Sequence, residues 1–161
     1  MNKKLKVVIA DDMELLLISM KAILEANSKV EGVWTALDGE DEIIKIMRVQ
    51  PDVVFTDMQM PKRTGLDVIQ AIQDYPSVRK KPKFILMTGR TDGILYEKSR
   101  ELGFDIVQKP ISRQRINDII NELEPIKIDE KEEKRKRKEA FKIMRRELEK
   151  EECVNSQFRH D

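Results

Sequence analysis

Residues 53–65 read VVFTDMQMPKRTG, a stretch that begins like a buried strand and ends in a turn. Its first four residues favour a β-strand, and their continuous apolar or β-branched character is typical of a strand buried on both faces. The strand then meets a single carboxylate, Asp57, and a Met-Pro pair and a glycine turn the chain soon after. Aspartate is depleted in strands and is rarely buried without a partner. Asp57 is therefore expected either to cap the next helix or to perform chemistry.

Further runs of β-favouring, largely apolar residues flank this stretch at Lys6–Ala10, Val33–Ala36, Phe84–Thr88 and Asp105–Val107. Segments with helical periodicity lie between them. The first of these segments has a broad apolar stripe formed by Leu15, Leu16, Ile18, Met20, Ile23 and Leu24. Strands that alternate with helices predict right-handed crossovers and a parallel sheet covered on both faces. The sequence therefore predicts a doubly wound (βα)5 domain of the α/β class over residues 1–124.

Charge separates this domain from the rest of the chain. The 161 residues include 31 basic and 30 acidic side chains, and this near-neutral balance argues against wholesale binding to nucleic acid or to a membrane surface. Residues 126–161 alone hold 12 of the basic and 10 of the acidic side chains. Because the composition changes at Pro125, we place a domain boundary there and predict a charged tail over residues 125–161.

The tail is rich in helix-forming residues. Residues 131–152 contain neither proline nor glycine, and a thin apolar seam runs through Phe141, Met144 and Leu148. This pattern predicts a solvated helix, with half of a coiled coil as an alternative. The basic block Lys134–Lys138 is interpreted as part of a solvated face with ion pairs between residues four apart. Nucleic-acid binding is not expected, because the tail has neither interleaved aromatic residues nor a helix-turn-helix pattern.

The cysteine content and the lengths of the apolar runs predict a cytoplasmic protein. Cys153 is the only cysteine, so an internal disulfide is excluded and a reducing compartment is indicated. The apolar run Val7–Ala10 is too short for the core of a signal peptide. No stretch approaches the roughly 18–20 apolar residues of a spanning helix, so no membrane association is expected.

Polar residues follow the predicted strands at the sheet edge where ligands bind in open parallel sheets. These residues are Asp11, Asp12, Asp57, Thr88 and Lys109. Each has a plain structural interpretation when taken alone, because Asp12 could cap a helix and Lys109 could extend its amine into solvent. Together they predict a site in which clustered carboxylates need a cation. Oxygen ligands with room for water and phosphate suit Mg²⁺.

These groups also suit phosphoryl transfer. A carboxylate can act as a nucleophile and form an aspartyl phosphate. Such a reaction depends mainly on positioning and on neutralisation of the phosphoryl oxygens. The neutralising groups would be Mg²⁺ on Asp12 and Asp57, the Lys109 ammonium and the Thr88 hydroxyl.

A family resemblance is carried by the segments VVIADDMELL (7–16), DVVFTDMQMPKRTG (52–65), ILMTGR (85–90) and IVQKP (106–110). Together they resemble the receiver domain of two-component response regulators over about residues 4–124. The resemblance implies a flavodoxin-like sheet with strand order 2-1-3-4-5. It also implies that Asp57 is the phosphoacceptor. The implied Mg²⁺ ligands are the acid pair Asp11 and Asp12, Asp57, and the main-chain carbonyl of Gln59.

The same resemblance implies that Thr88 and Lys109 contact the phosphoryl group and that the peptide bond before Pro110 is cis. A histidine kinase or a phosphotransfer protein would donate the phosphoryl group, and the chain itself would not be an enzyme. Its output would be a protein–protein contact. A homodimer would form through the face of helix 4, strand 5 and helix 5, or through the C-terminal helix.

One position departs from the family pattern. Members usually carry an aromatic switch residue three positions before the lysine, and this chain has Ile106 there. In the family, movement of the residue that matches Thr88 is coupled to that ring, so the readout of phosphorylation is left open, with Tyr96 as a candidate replacement ring. Gln59 and Arg90 stand where side chains of the family tune the lifetime of the acyl phosphate.

Three alternatives stay open. A Mg²⁺-dependent phosphatase with an aspartyl nucleophile usually places a second acid two residues later, where this chain has Gln59. A dimerisation or scaffold module would have a vestigial site. The chain could also be the receiver portion of a larger, truncated signalling protein. In that case the terminal FRHD, residues 158–161, resembles the start of a sensor-kinase histidine box with His160 as a phosphosite.

Overall fold

Five parallel strands form one sheet in the first of two compact units, Met1–Ile126 and Lys127–Asp161. The computed structural model describes residues 3–76, 78, 80–127 and 129–157. The strands are β1 (Leu5–Ala10), β2 (Val30–Ala36), β3 (Val53–Asp57), β4 (Lys83–Thr88) and β5 (Asp105–Gln108). Their order across the sheet is β2-β1-β3-β4-β5. This order confirms the predicted flavodoxin-like, doubly wound fold and places β3 at the centre.

Helices follow the strands, and most begin at polar capping residues. They are α1 (Glu14–Glu25), α2 (Gly39–Val49), α3 (Gly65–Asp74), α4 (Gly93–Leu102), α5 (Arg113–Glu122) and α6 (Glu130–Gln157). A side chain accepts a hydrogen bond from the third helical residue at the starts of α2, α3, α4 and α5, and these caps are Asp38, Thr64, Asp92 and Ser112. Each cap satisfies a backbone N–H that the first helical turn leaves free. The sequence therefore specifies these helix starts locally.

The sheet separates two apolar clusters, because successive side chains of a strand point to opposite faces. Val7 of β1 belongs to the cluster that includes Leu17 of α1 and Ile116 of α5. Val8 belongs to the other cluster, which includes Ile46 of α2. β3 is buried at every position and contributes to both clusters. Two-sided burial explains why its sequence is a continuous run and does not alternate with polar residues.

The predicted apolar stripe of α1 is wrong at two positions. Leu15 is 79% exposed and Ile18 is 59% exposed, whereas Leu17, Met20 and Leu24 are buried. A helix that packs on one face of a sheet buries one stripe of its surface, and α1 has more apolar residues than that stripe holds. Leu15 and Ile18 therefore lie on the solvent side of the helix.

α6 is the helix of the second unit and has 28 residues. It includes the predicted helical segment 131–152 and extends beyond it at both ends. Ion pairs between residues four apart join Glu132 to Lys136 at 2.9 Å and Arg145 to Glu149 at 3.5 Å. Such pairs stabilise exposed helices, in agreement with the interpretation of a solvated, charged face.

The apolar seam predicted for α6 is described only at Phe141, which is 62% exposed. The side chains of Met144 and Leu148 lie outside the described residues, and so does the FRHD segment with His160. The coiled coil and the histidine phosphosite therefore stay predictions. Within the described part of the chain, no helix combines the length and the apolar character that crossing a membrane requires.

Candidate functional site

Three carboxylates converge at the carboxyl ends of the two central strands. Asp11 follows β1, and Asp57 is the last residue of β3. Because the register pairs Ala10 with Thr56, the residues that follow them, Asp11 and Asp57, lie at the same edge of the sheet. Asp11, Asp12 and Asp57 each offer an oxygen atom within 4.8 Å of the other two. Asp11 and Asp57 are buried and Asp12 is exposed. The predicted acidic cluster is therefore present, with one open side.

Lys109 joins two of these carboxylates. Its Nζ atom lies 2.5 Å from Oδ2 of Asp11 and 2.9 Å from Oδ1 of Asp57. Burial by itself would lower the pKa of Lys109, but the hydrogen bonds to Asp11 and Asp57, together with the negative charges of these residues, raise this pKa above its usual value. Its backbone is fixed as well, because the Lys109 N–H donates to the carbonyl of Thr88 at 2.8 Å. The peptide bond to Pro110 is cis, as the resemblance implied.

The surroundings of Asp57 raise the pKa of its carboxyl group. Burial raises its pKa, the hydrogen bond from Lys109 lowers it, and the charges of Asp11 and Asp12 raise it further, with a net increase. Three carboxylates share one ammonium group, so negative charge is in excess. A cation bound among the carboxylate oxygens would relieve this repulsion, and an all-oxygen donor set with an exposed side fits Mg²⁺.

The chain turns after Asp57 so that the start of α3, at Gly65, packs against the backbone of Asp57. A Cβ atom at Gly65 would lie only 2.5 Å from the carbonyl oxygen of Asp57, so this approach requires glycine. The Gly65 N–H donates to the carbonyl of Met58 at 3.1 Å and closes the turn. Thr64 caps α3 in a reciprocal pair with Asp67, so Asp57 is not a helix cap.

The capping alternative for Asp12 is likewise excluded. The residue at the N-cap of α1 is Met13, and no side chain caps this helix. The Met13 N–H donates instead to Oδ1 of Asp11 at 2.9 Å. Asp11 therefore binds the start of α1 and Lys109, while Asp12 stays exposed beside the buried pair.

Other predicted site residues are not part of this ion-pair cluster. The hydroxyl of Thr88, which is buried, donates to the carbonyl of Arg90 at 2.8 Å and accepts from its N–H at 3.1 Å. Thr88 is thus bound within its own loop. Gln59 is exposed on the loop that follows Asp57, and Ile106 is half-buried against the apolar cluster that includes Ile46.

The structure adds two residues that the sequence interpretation missed. Glu42 of α2 is fully buried, and its Oε2 atom accepts a hydrogen bond from the Thr56 hydroxyl at 3.0 Å. Burial raises the pKa of Glu42 well above its usual value, the hydrogen bond from Thr56 opposes this, and the charge of Asp57 adds to it. A signal was present, because Glu42 lies one turn before Ile46 on the buried face of α2.

Comparisons with known proteins agree with this geometry. A protein-glutamate methylesterase/protein-glutamine glutaminase of Syntrophomonas wolfei is 37% identical over 108 residues, which are 66% of this chain and 30% of that protein. A protein of the same name from Pyrococcus horikoshii is 32% identical over 151 residues, which are 92% of this chain and 38% of that protein. The chain therefore spans well under half the length of these curated relatives.

A solved structure shares the fold. The signal receiver domain of the response regulator NarL from Mycobacterium tuberculosis superposes with a TM-score of 0.66 at 23% identity, over 74% of this chain and 94% of that chain. The family model for the response regulator receiver domain matches residues 7–121, a range that contains the acidic cluster and Lys109. The match covers most of the chain, and the chain therefore belongs to the response regulator receiver domain family.

Proposed function

We propose that this chain is a phosphorylation switch in which Asp57 accepts a phosphoryl group from a histidine kinase or a phosphotransfer protein. Receiver domains of this family function in two-component signalling, where they interact with such partners and bind Mg²⁺ at an acidic pocket. The observation that carries the proposal is the position of Lys109, whose ammonium bridges Asp11 and Asp57 beside a third carboxylate. A phosphoryl group on Asp57 would find a positive charge already in place.

The transfer itself needs few groups. A carboxylate oxygen of Asp57 attacks the phosphorus of a phosphohistidine, the new P–O bond forms as the P–N bond breaks, and the departing imidazole takes up a proton. The ammonium of Lys109 has three N–H donors and two carboxylate partners, Asp11 and Asp57, so its third N–H could donate to one phosphoryl oxygen. The proposed ligands of Mg²⁺ are Asp11, Asp12, Asp57 and the main-chain carbonyl of Gln59. A Mg²⁺ ion at this position would neutralise the other phosphoryl oxygens.

Thr88 has a place in the same proposal. Its hydroxyl would leave the Arg90 backbone and donate to a phosphoryl oxygen, so phosphorylation would rearrange the loop after β4. Ile106 replaces the usual aromatic residue, and the rearrangement would be transmitted by an aliphatic contact in this chain. Transmission through Tyr96, which is half exposed, is the alternative.

We further propose that the receiver function belongs to residues 1–124 and that residues 125–161 contribute to a protein–protein output in the cytoplasm. A homodimer would use the face formed by α4, β5 and α5, or it would use α6. The methylesterase and glutaminase activities named for the relatives are not assigned to this chain, which spans 30% and 38% of those proteins. We propose that it has no catalytic activity of that kind.

The test is phosphorylation by a small acyl phosphate or phosphoramidate in the presence of Mg²⁺. Intact-mass spectrometry should show one added phosphoryl group on the wild-type protein and none on Asp57→Asn. Asp105→Asn is the matched control, because Asp105 is an exposed strand aspartate that pairs with Lys83 at 3.1 Å, outside the acidic cluster. Equal labelling of Asp57→Asn and wild type would disprove the assignment.

A Mg²⁺-dependent phosphatase is the second candidate, and the site disfavours it. Position 59, where such an enzyme would usually have a second acid, carries the amide of Gln59. The expected result is no sustained release of phosphate from a phosphomonoester such as p-nitrophenyl phosphate. Multiple turnovers that disappear in Asp57→Asn would favour the phosphatase.

A further inference from the structure

Glu42 forms a hydrogen bond with Thr56, the residue directly before the candidate phosphoacceptor Asp57. Glu42 is in the first turn of α2, and Thr56 is the residue before Asp57 on β3. Both are buried, and the distance from the Thr56 hydroxyl to Oε2 of Glu42 is 3.0 Å. This bond ties a helix to the central strand one residue from its functional end.

Thr56 is also the last residue of β3 that is paired on both sides. It pairs with Ala10 of β1 and with Leu86 of β4, whereas Asp57 pairs only with Met87 of β4. Beyond Thr56 the strand has lost one neighbour, so its end is less constrained. The hydrogen bond from the Thr56 side chain to Glu42 adds a third attachment at the position where pairing with β1 stops.

The same turn of α2 lies against the loop that follows Asp57. A Cβ atom at Gly39 would lie 2.6 Å from Cβ of Arg63, so the helix approaches this loop as closely as glycine allows. The Gly39 N–H points at the carbonyl of Pro61, at 3.4 Å. The first turn of α2 therefore contacts the chain both before and after Asp57.

Stability does not explain the choice of a buried acid at this position. In the described structure, Oε1 of Glu42 is buried and has no hydrogen-bond partner. A carboxyl group buried with one oxygen unsatisfied costs free energy, and an apolar pair of similar size would avoid this cost. A buried polar atom without a partner therefore calls for an explanation, and a functional role is one such explanation. Burial raises the pKa of Glu42 well above its usual value, which favours the protonated form of this carboxyl group.

We infer that Glu42 is a positioning residue that, through Thr56, fixes the end of β3 and so places the Asp57 carboxylate for Mg²⁺ and for the phosphoryl group. This inference rests on the proposed function of Asp57. It predicts that loss of the pair weakens metal binding and phosphorylation even where the folded domain is just as stable. A structural role alone predicts no such separation.

The test compares three variants with the wild-type chain. Glu42→Leu combined with Thr56→Val replaces both partners by apolar groups, so no buried polar group is left unsatisfied. Glu42→Gln keeps the size and an oxygen acceptor for Thr56. Ile46→Val is the control for a general disturbance of α2, because Ile46 is fully buried one turn further along the helix. The measurements are the Kd for Mg²⁺ by calorimetry, the rate of labelling by acetyl phosphate, and the urea midpoint.

The double variant should unfold at a urea concentration no lower than wild type, yet bind Mg²⁺ about tenfold more weakly and be labelled correspondingly more slowly. Glu42→Gln should keep the wild-type Mg²⁺ affinity and labelling rate, and Ile46→Val should change only the urea midpoint. A double variant with wild-type Mg²⁺ affinity and labelling rate would overturn the inference, as would a Glu42→Gln variant that loses them. If wild type binds Mg²⁺ but is not labelled, the proposed function fails and the Mg²⁺ affinities alone decide the positioning role. If wild type binds no Mg²⁺, both are overturned.

Discussion

Lys109 and Asp57 form an ion pair of 2.9 Å although they belong to strands that are not neighbours in the sheet. Asp57 ends β3, Lys109 follows β5, and β4 lies between them. The long side chain of Lys109 crosses the end of β4 and also reaches Asp11 beyond β3. One ammonium therefore links both sides of the central strand, and it competes with any cation that binds the same oxygens.

Lys109→Ala should separate metal binding from phosphorylation. Without the ammonium, Asp11 and Asp57 lose a competitor for Mg²⁺, so the Kd for Mg²⁺ should fall or stay constant. The labelling rate should fall by about 10²-fold, because a preorganised charge that stabilises the transferring group is lost. Calorimetry and intact-mass kinetics measure the two effects.

Lys83→Ala is the matched control for this variant. Lys83 pairs with Asp105 at 3.1 Å on the surface and has no contact with the acidic cluster, so both properties should stay at the wild-type level. A Lys109→Ala protein that binds Mg²⁺ more weakly than wild type would contradict the view of Lys109 as a competitor.

Gly65→Ala should destabilise the domain by about 1–3 kcal/mol. The added methyl group would lie 2.5 Å from the Asp57 carbonyl and 2.7 Å from Cδ1 of Leu86, and the backbone contact cannot be relieved by a rotamer change. The β3–α3 turn must then shift, so the labelling rate should also fall. Gly93→Ala is the control, since a Cβ atom there meets nothing within 4 Å. Urea unfolding of the two variants checks the contrast, and equal stabilities would contradict the role of Gly65.

Much of this architecture follows from the sequence, because parallel strands buried on both faces produce continuous apolar runs. Such runs located the strands to within a few residues, and parallel topology then required their carboxyl ends to meet. Asp11 and Asp57 converge because β1 and β3 are parallel neighbours, whereas Lys109 also needs its long side chain to reach past β4. Helix capping depends on neighbouring residues only, so a cap such as Thr64 with Asp67 is also specified locally by the sequence.

Other features depend on how elements rotate and pack, and the hydropathy of single residues did not reveal them. Ile18 is exposed and Glu42 is buried, although hydropathy predicts the reverse for each. The rotation of α1 and α2 against the sheet decides both cases. The hydrogen bond of the Thr88 hydroxyl to the backbone two residues later is another such feature, and the contact of Thr88 with a phosphoryl group stays a prediction.

Asp57→Asn should stabilise the protein in the absence of Mg²⁺. The pKa of Asp57 is raised in the folded state, mainly by burial and then by Asp11 and Asp12, so folding favours its protonated form. The contribution of this group to stability is complete below its unfolded pKa of about 3.9 and is lost as the pH rises through the folded value. The advantage of the asparagine variant should therefore grow as the pH rises above about 4.

Mg²⁺ should make wild type more stable than Asp57→Asn. At a concentration 100 times its Kd, the ion stabilises a protein that binds it only when folded by about 2.7 kcal/mol. Wild type should gain this amount, and Asp57→Asn should gain much less because it lacks one of the proposed ligands. Urea unfolding with and without Mg²⁺ measures both differences. An equal gain in the two proteins would show that Asp57 is not a ligand.

Glu42→Gln should change how stability depends on pH. The pKa of Glu42 is raised well above its usual value, chiefly by burial, so the folded state holds this proton more tightly than the unfolded state does. Stability from Glu42 is therefore complete below the unfolded pKa of about 4.3 and declines as the pH rises toward the folded value. The amide of glutamine does not ionise and suffers no such decline.

The stability of Glu42→Gln relative to wild type should increase with pH above about 4.3, as measured by urea unfolding across a pH series. Parallel curves for Glu42→Gln and wild type would contradict a raised pKa of Glu42 in the folded protein.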